Sequence, residues 1–199
     1  MTLKALKDRL AADPGARQLL AVECTGGSDA IARYYSKQAD GSWNLLFRSS
    51  AYIGKNGLGK TQEGDSKTPA GEFRPIAAFG IMPNPGCTLP YISITPGTVA
   101  CDAEGPLYNR IVKPGDYLSE PEGEKMWLMS PKYDYGLQID FNPECIYPLG
   151  SAIFIHCKSY NPWTGGCVAL ERGNMLQILK TATAALRICI YSNQLPTWR

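Results

Sequence analysis

Hydrophobic residues at the start of the chain follow the period of a helix. Leu3, Leu6 and Leu10 recur every three or four residues, and Pro14-Gly15 ends the pattern. After Gln18 the period becomes that of strands. The first half of the chain therefore predicts one short helix followed by β structure.

Short apolar or alternating segments predict the strands that follow. Asp40-Gly41 separates two of them and is a typical hairpin turn. The predicted strands cover residues 19–24, 31–36, 43–48, 73–79, 135–142, 151–157 and 187–191. Between them, residues 82–114 are rich in proline and glycine. A loop of this length usually has a function, so we expect it to border a cleft.

A second helix is predicted near the end of the chain. Asn174 and Gln177 resemble a capping box, in which the first side chain begins the helix. Apolar residues then recur at helical spacing as far as Leu186. The sequence thus predicts a single mostly-β domain over residues 1–199, with a helix near each end.

Composition narrows the class of protein. The 199 residues are 44% hydrophobic and 19% charged, which excludes a disordered chain. A net charge of +2 is too small for an electrostatic nucleic-acid binder, so no nucleic acid is expected as a partner. The sequence has neither a transmembrane segment of about 20 apolar residues nor a visible signal peptide. The chain is therefore either cytosolic or has lost an export signal.

One motif matches a phosphate-binding loop. Residues 54–61 read G-K-N-G-L-G-K-T, which fits G-x-x-x-x-G-K-[ST]. Such a loop must open a helix whose N-terminus faces the phosphate. Gly64, Pro69 and Gly71 follow instead and break any helix. We therefore predict a turn between strands and reject a nucleotide-dependent enzyme.

The only histidine, His156, ends an apolar strand and precedes Cys167 by a short loop. Alternation along the strand places the side chains of His156 and Cys157 on opposite faces. Cys167 is therefore the thiol expected to meet the His156 imidazole. An imidazole can take the thiol proton and hold the thiolate, so we expect a pKa for Cys167 below about 8.5. Gly165 and Gly166 leave the backbone free to approach a substrate carbonyl. No C-x-x-C pair with zinc spacing occurs, so no metal or other cofactor is expected.

These residues carry a resemblance to a known family. His156 followed by T-G-G-C at residues 164–167 resembles the signature of the L,D-transpeptidase catalytic domain (YkuD type). Residues 67–73, K-T-P-A-G-E-F, look like its T-P-x-G-x-F segment. The resemblance covers about residues 50–190. Gly165 and Ala169 depart from the family, which often carries His and then Arg or Asn at those positions.

The resemblance implies a β-sandwich or barrel-like fold and covalent chemistry on peptidoglycan stem peptides of the bacterial cell wall. Cys167 would attack the carbonyl between an L-centre and a D-residue, with His156 as base and then acid. The backbone carbonyl of Cys157 would orient the imidazole. Carbapenems would acylate the cysteine, and the protein would work outside the cytoplasm.

The resemblance also suggests roles around the nucleophile. Backbone N–H groups of Gly166 and Cys167 would stabilise the oxyanion. Thr164 and Gly165 would contact the substrate, and two other roles stay open for Thr164, support of the loop and a plain turn hydroxyl. Tyr160 and Trp163, within the loop between His156 and Cys167, would form walls of the cleft. Three alternatives remain open on this fold: an L,D-carboxypeptidase, an amidase that cleaves crosslinks, and a non-catalytic wall-binding domain.

Overall fold

The computed structural model describes residues 1–193 and is built mainly of strands. The two α-helices of this part of the chain lie near its ends, one before the first strand and one before the last. The elements are α1 (Leu3–Ala11), β1 (Gln18–Gly26), β2 (Asp29–Lys37), β3 (Trp43–Tyr52), β4 (Gly71–Phe73), β5 (Pro75–Gly80), β6 (Tyr91–Ser93), β7 (Val99–Cys101), β8 (Ile111–Val112), β9 (Gly123–Lys125), a 3₁₀ turn (Met126–Leu128), β10 (Gly136–Ile139), β11 (Phe154–Cys157), β12 (Val168–Leu170), α2 (Arg172–Thr181) and β13 (Leu186–Tyr191).

Ten strands form one curled sheet in the order β4-β13-β1-β2-β3-β12-β11-β10-β5-β6, and β8-β7-β9 form a small second sheet. Neighbours are antiparallel except in three pairs, β1–β13, β11–β12 and β5–β6. The predicted fold class, mostly β with a helix near each end, is confirmed. Strand β11 carries the histidine, and strand β12 begins directly after the cysteine. These two strands are adjacent and parallel in the centre of the sheet.

The main core packs one face of the large sheet against α2. Met175, Ile178 and Leu179 of this helix are fully buried in it. A smaller core holds α1 through Leu6 and Leu10, which meet the other face of the strands at that end. The apolar period predicted for α1 therefore corresponds to its buried side.

Local backbone constraints explain where strands differ from the prediction. The strand predicted at 73–79 is divided into β4 and β5, because Pro75 starts a new strand that pairs with β10 whereas β4 pairs with β13. The strand predicted at 151–157 begins only at Phe154. Ala152 has φ +52°, a left-handed conformation that a regular strand cannot contain. Residues 82–114, predicted as a long loop, contain β6, β7 and β8.

The boundaries predicted for α2 are wrong. The helix starts at Arg172 with Glu171 as its N-cap, so Asn174 lies inside it and no capping box forms. It begins so early because β12 ends at Leu170 and the chain turns at once into the helix. It stops at Thr181, and Leu186 already belongs to β13, where it is buried in the main core.

Candidate active site

Strand β11 directs successive side chains to opposite faces, as predicted. Ile155 and Cys157 point into the main core, and the Cys157 thiol donates to the Tyr135 carbonyl at 3.5 Å. Phe154 faces the other side with Cys167 and Tyr133. The Tyr133 ring stands edge-on to the His156 imidazole, 5.6 Å between centroids. The alternation thus separates His156 from the thiol of its chain neighbour.

The hydrogen bonding of His156 determines its tautomer. Nδ1 lies 2.8 Å from the backbone carbonyl oxygen of Cys157. A carbonyl only accepts, so Nδ1 carries the proton and Nε2 has a free lone pair. Nε2 is buried and has no hydrogen-bond partner among residues 1–193. The predicted contact with the Cys157 carbonyl is therefore present. Because Nδ1 carries the proton, Nε2 is unprotonated and can accept one.

Cys167 and His156 line one cavity of about 280 Å³, which we name the Cys–His cavity. The thiol of Cys167 accepts from the Phe154 amide at 3.3 Å and donates to the Ala152 carbonyl at 3.2 Å. Within the described chain it makes no hydrogen bond to the imidazole. The proton on sulfur is thus directed toward Ala152 in the resting state.

Burial controls the protonation of both groups. Desolvation raises the pKa of Cys167 to about 11, against its ordinary value of 9.0. Burial lowers the pKa of His156 to about 3, and the positive charge of Lys132 acts in the same direction. The expectation that the imidazole lowers the thiol pKa is therefore wrong. At neutral pH the structure holds a neutral thiol and a neutral imidazole.

The loop that carries Cys167 is held by its own hydrogen bonds. The N–H of Gly166 donates to Thr164 Oγ1 at 3.1 Å, and this hydroxyl donates to the Cys167 carbonyl at 2.7 Å. Two predicted roles need correction for this reason. The Gly166 N–H, expected to stabilise an oxyanion, is engaged within the loop. Of the roles expected for the Thr164 hydroxyl, the structure shows support of the loop and not contact with substrate.

The two aromatic residues of the loop between His156 and Cys167 differ. Trp163 lines the Cys–His cavity and its ring lies 5.2 Å from Lys55 Nζ. Tyr160 is 92% exposed and is not part of the lining, so its predicted role in the wall is wrong. Gly165 lines the cavity.

Charged residues around the cavity were not found from the sequence. They come from distant segments: Lys60, Glu63, Asp102, Glu124 and Lys132. Lys132 Nζ is 3.0 Å from Glu124, which also accepts from the buried Tyr133 hydroxyl. Asp102 belongs to residues 82–114, so the prediction that this segment borders the cleft is confirmed. Only Lys60 gave a signal, as the lysine of the phosphate-loop motif.

That motif does not form a phosphate-binding loop. Residues 62–70 of the described chain contain turns and a bridge but no helix. Lys60 instead forms a buried ion pair with Asp65 at 3.0 Å. Gly54 pairs with Thr164 next to the cysteine loop. The motif is therefore part of the support of the site.

The described part of the chain has neither a disulfide nor a metal site. All seven cysteines, which lie within residues 1–193, are free thiols. Among the same residues no cluster of His, Cys, Asp or Glu is arranged to hold a metal ion. No helix in the described part of the chain has the length and apolar character needed to cross a membrane.

Comparison with known proteins identifies the family of the chain. The family model of the L,D-transpeptidase catalytic domain (YkuD) matches residues 29–190, well over half of the chain. A comparison with curated proteins gave no match. The matched range contains the histidine strand, the cysteine loop and the segment that supports it. The chain therefore belongs to the L,D-transpeptidase catalytic-domain family.

Proposed function

We propose that this protein is a cysteine acyltransferase that acts on peptidoglycan stem peptides, with Cys167 as nucleophile and His156 as general base and acid. The observation that carries the proposal is the tautomer of His156. Its Nδ1–H is bound by the Cys157 carbonyl, so the unprotonated Nε2 is buried without a partner beside the cavity that also contains the Cys167 thiol. Most buried ring nitrogens of structural histidines are hydrogen-bonded.

The reaction follows from these two groups. Cys167 Sγ attacks the carbonyl that joins an L-centre to a D-residue, and the thiol proton passes to Nε2 of His156. When the tetrahedral intermediate collapses, the C–N bond breaks and the imidazolium returns this proton to the leaving amine. The product is a thioester on Cys167. An amine of a second stem then attacks the thioester and gives its proton to Nε2. The C–S bond breaks as the new amide forms, and the imidazolium returns the proton to sulfur, which restores the thiol.

The resting protonation states determine how this first step proceeds. With pKa values of about 11 for Cys167 and about 3 for His156, a thiolate–imidazolium pair is not formed in advance. Proton transfer therefore accompanies formation of the C–S bond. The Cys157 carbonyl stabilises the imidazolium as it forms, which is the role that a carboxylate has in other catalytic triads.

The backbone supplies the oxyanion contact. Since the Gly166 N–H is bonded to Thr164, we assign this contact to the N–H of Cys167 itself. Trp163 and Gly165 line the same cavity and would contact the stem peptide. The substrate class lies in the cell envelope, so we also propose an extracytoplasmic location, which fractionation of the producing cells would test.

Intact-mass analysis after exposure to a carbapenem tests the nucleophile. We expect the mass of one inhibitor to be added to the wild-type protein and none to the Cys167→Ala variant. Cys157→Ala is the matched control, because its thiol faces the core, and we expect it to be acylated normally. Acylation that depends on Cys157 and survives Cys167→Ala would overturn the assignment.

Incubation with muropeptides then identifies the reaction. Ligated dimers in the mass spectrum are the result expected for transfer. Shortened monomers would show an L,D-carboxypeptidase, and crosslinked dimers converted to monomers would show an amidase. Binding to cell-wall material without any product, and without acylation, would show a non-catalytic wall-binding domain.

A further inference from the structure

Thr68 is a fully buried polar residue that contacts the cysteine loop from a distant part of the sequence. Its Oγ1 accepts from the Gly54 amide at 2.8 Å and donates to the Gly166 carbonyl at 2.7 Å, while the Cys167 carbonyl is a more distant acceptor at 3.4 Å. The hydroxyl therefore uses its proton on the peptide that immediately precedes Cys167. Neither bond reaches the Cys–His cavity, so Thr68 acts on the site only through the backbone.

The peptide that Thr68 holds is the one that carries the N–H of Cys167. A trans peptide is planar, so its C=O and N–H point in opposite directions. A hydrogen bond that fixes the Gly166 carbonyl on one side consequently fixes the Cys167 N–H on the other. Thr164 holds the peptides on both sides of this one through the Gly166 N–H and the Cys167 carbonyl. Thr68 holds the peptide between these two, so hydrogen bonds fix all three consecutive peptides.

Close packing leaves this peptide little freedom. A Cβ placed on Gly166 would lie 2.8 Å from the carbonyl oxygen of Lys67, and one on Gly54 would lie 2.5 Å from that of Ser66. Segment 66–68 is thus in direct contact with both glycines. Asp65, just before it, accepts from the Lys67 amide and pairs with Lys60. The segment is therefore anchored next to the residue that makes the contact.

We infer that Thr68 is a positioning residue for the oxyanion contact: its hydroxyl, by binding the Gly166 carbonyl, aims the Cys167 N–H at the position where negative charge develops on the substrate carbonyl oxygen. The inference rests on the proposed function. It gives the family-type T-P-x-G-x-F segment, far from Cys167 in sequence, a specific chemical role.

Two reactions of the same thiol separate this role from a general structural one. Acylation by a carbapenem passes through an oxyanion, whereas alkylation by iodoacetamide displaces iodide and forms none. For Thr68→Val we expect carbapenem acylation to slow by roughly 100-fold, the effect of losing one oxyanion donor. The iodoacetamide rate at the same pH should stay close to that of the wild type. Thr68→Ser, which keeps the hydroxyl, should restore acylation.

An exposed threonine provides the matched control for this substitution. Thr25→Val, the same change at an exposed threonine of β1, should alter neither rate. Should Thr68→Val fail to fold by circular dichroism, Thr68→Ala replaces it, since a water in the vacated space can bind the Gly54 amide. Equal slowing of both reactions, or no slowing of acylation, would overturn the positioning role. A wild-type protein that resists the carbapenem would overturn the proposed function, and this role with it.

Discussion

The backbone carbonyl of Cys157 accepts the Nδ1–H of His156 at 2.8 Å, although the two residues are neighbours on one strand. The alternation of β11 makes this arrangement possible. It directs the Cys157 thiol into the core and leaves its carbonyl beside the imidazole. The histidine is thus oriented by an uncharged group, and its low pKa is not opposed by a carboxylate.

Thiol labelling should report the high pKa of Cys167. With a pKa of about 11, the thiolate fraction rises about tenfold for each pH unit between pH 7 and 9, and the iodoacetamide rate should rise in the same proportion. Peptide mapping by mass spectrometry measures the labelling rate of Cys167 separately from those of the other cysteines. A rate that is already at its plateau at pH 6 would show the ion pair that this structure lacks.

Stability should fall on mild acidification because of His156. Its pKa is about 3 when folded, against 6.5 for an exposed histidine, so between these values only the unfolded chain binds the proton. The free energy of unfolding is therefore unaffected by this group above pH 6.5 and decreases below it, by at most about 1.4 kcal/mol per pH unit.

Urea unfolding of the wild type and of His156→Gln between pH 4.5 and 7.5 measures this contribution. The variant should lose the dependence on pH that the histidine causes, so the free energy of unfolding of the wild type should fall relative to that of the variant as the pH falls below 6.5. The comparison isolates His156, because every other titrating group is common to both proteins. Parallel curves would contradict the buried neutral imidazole.

The two glycines before Cys167 should respond differently to alanine. Gly166 has φ +147°, and an added Cβ would meet Lys67 and Ile153 at 2.8 Å. We expect Gly166→Ala to destabilise the protein by about 1–3 kcal/mol and to slow acylation. Gly165→Ala is the matched control, since its Cβ would meet nothing within 4 Å, and thermal unfolding should place it near the wild type.

The buried ion pair of Lys60 and Asp65 should contribute strongly to the free energy of unfolding. Burial alone would raise the pKa of Asp65, but amide hydrogen bonds from Thr61 and Lys67, together with Lys60, hold it at about 2. Asp65→Asn leaves the buried Lys60 charge without its counter-ion, so we expect a loss of about 3–5 kcal/mol in urea unfolding at pH 7.

The exposed pair of Lys4 and Asp8 on α1 provides the control for this change. Both side chains are mostly in solvent, so Asp8→Asn should alter the free energy of unfolding by less than about 1 kcal/mol. Equal effects of the two substitutions would show that burial of the Lys60–Asp65 pair has no consequence for stability.

Local patterns in the chain were sufficient for the mostly-β class, for helix α1 and for the divergence of adjacent side chains on β11. The spacing of Leu3, Leu6 and Leu10 predicted α1, because one turn of helix decides which side chains share a face. The two-residue period of β11 predicted that the side chains of His156 and Cys157 diverge, and the resemblance to the family implied that the Cys157 carbonyl orients the imidazole. Such features depend on backbone geometry within a few residues, which a sequence displays directly.

Contacts between distant segments decided the rest. Thr68 reaches the cysteine loop, and Asp102 and Glu124 reach the cavity, only because the curled sheet and its loops bring them there. The thiol pKa was predicted in the wrong direction for the same reason. A pairing of imidazole and thiol was visible in the sequence, but the desolvation that outweighs it is produced by all the atoms that surround Cys167, and these are assembled only by the tertiary structure.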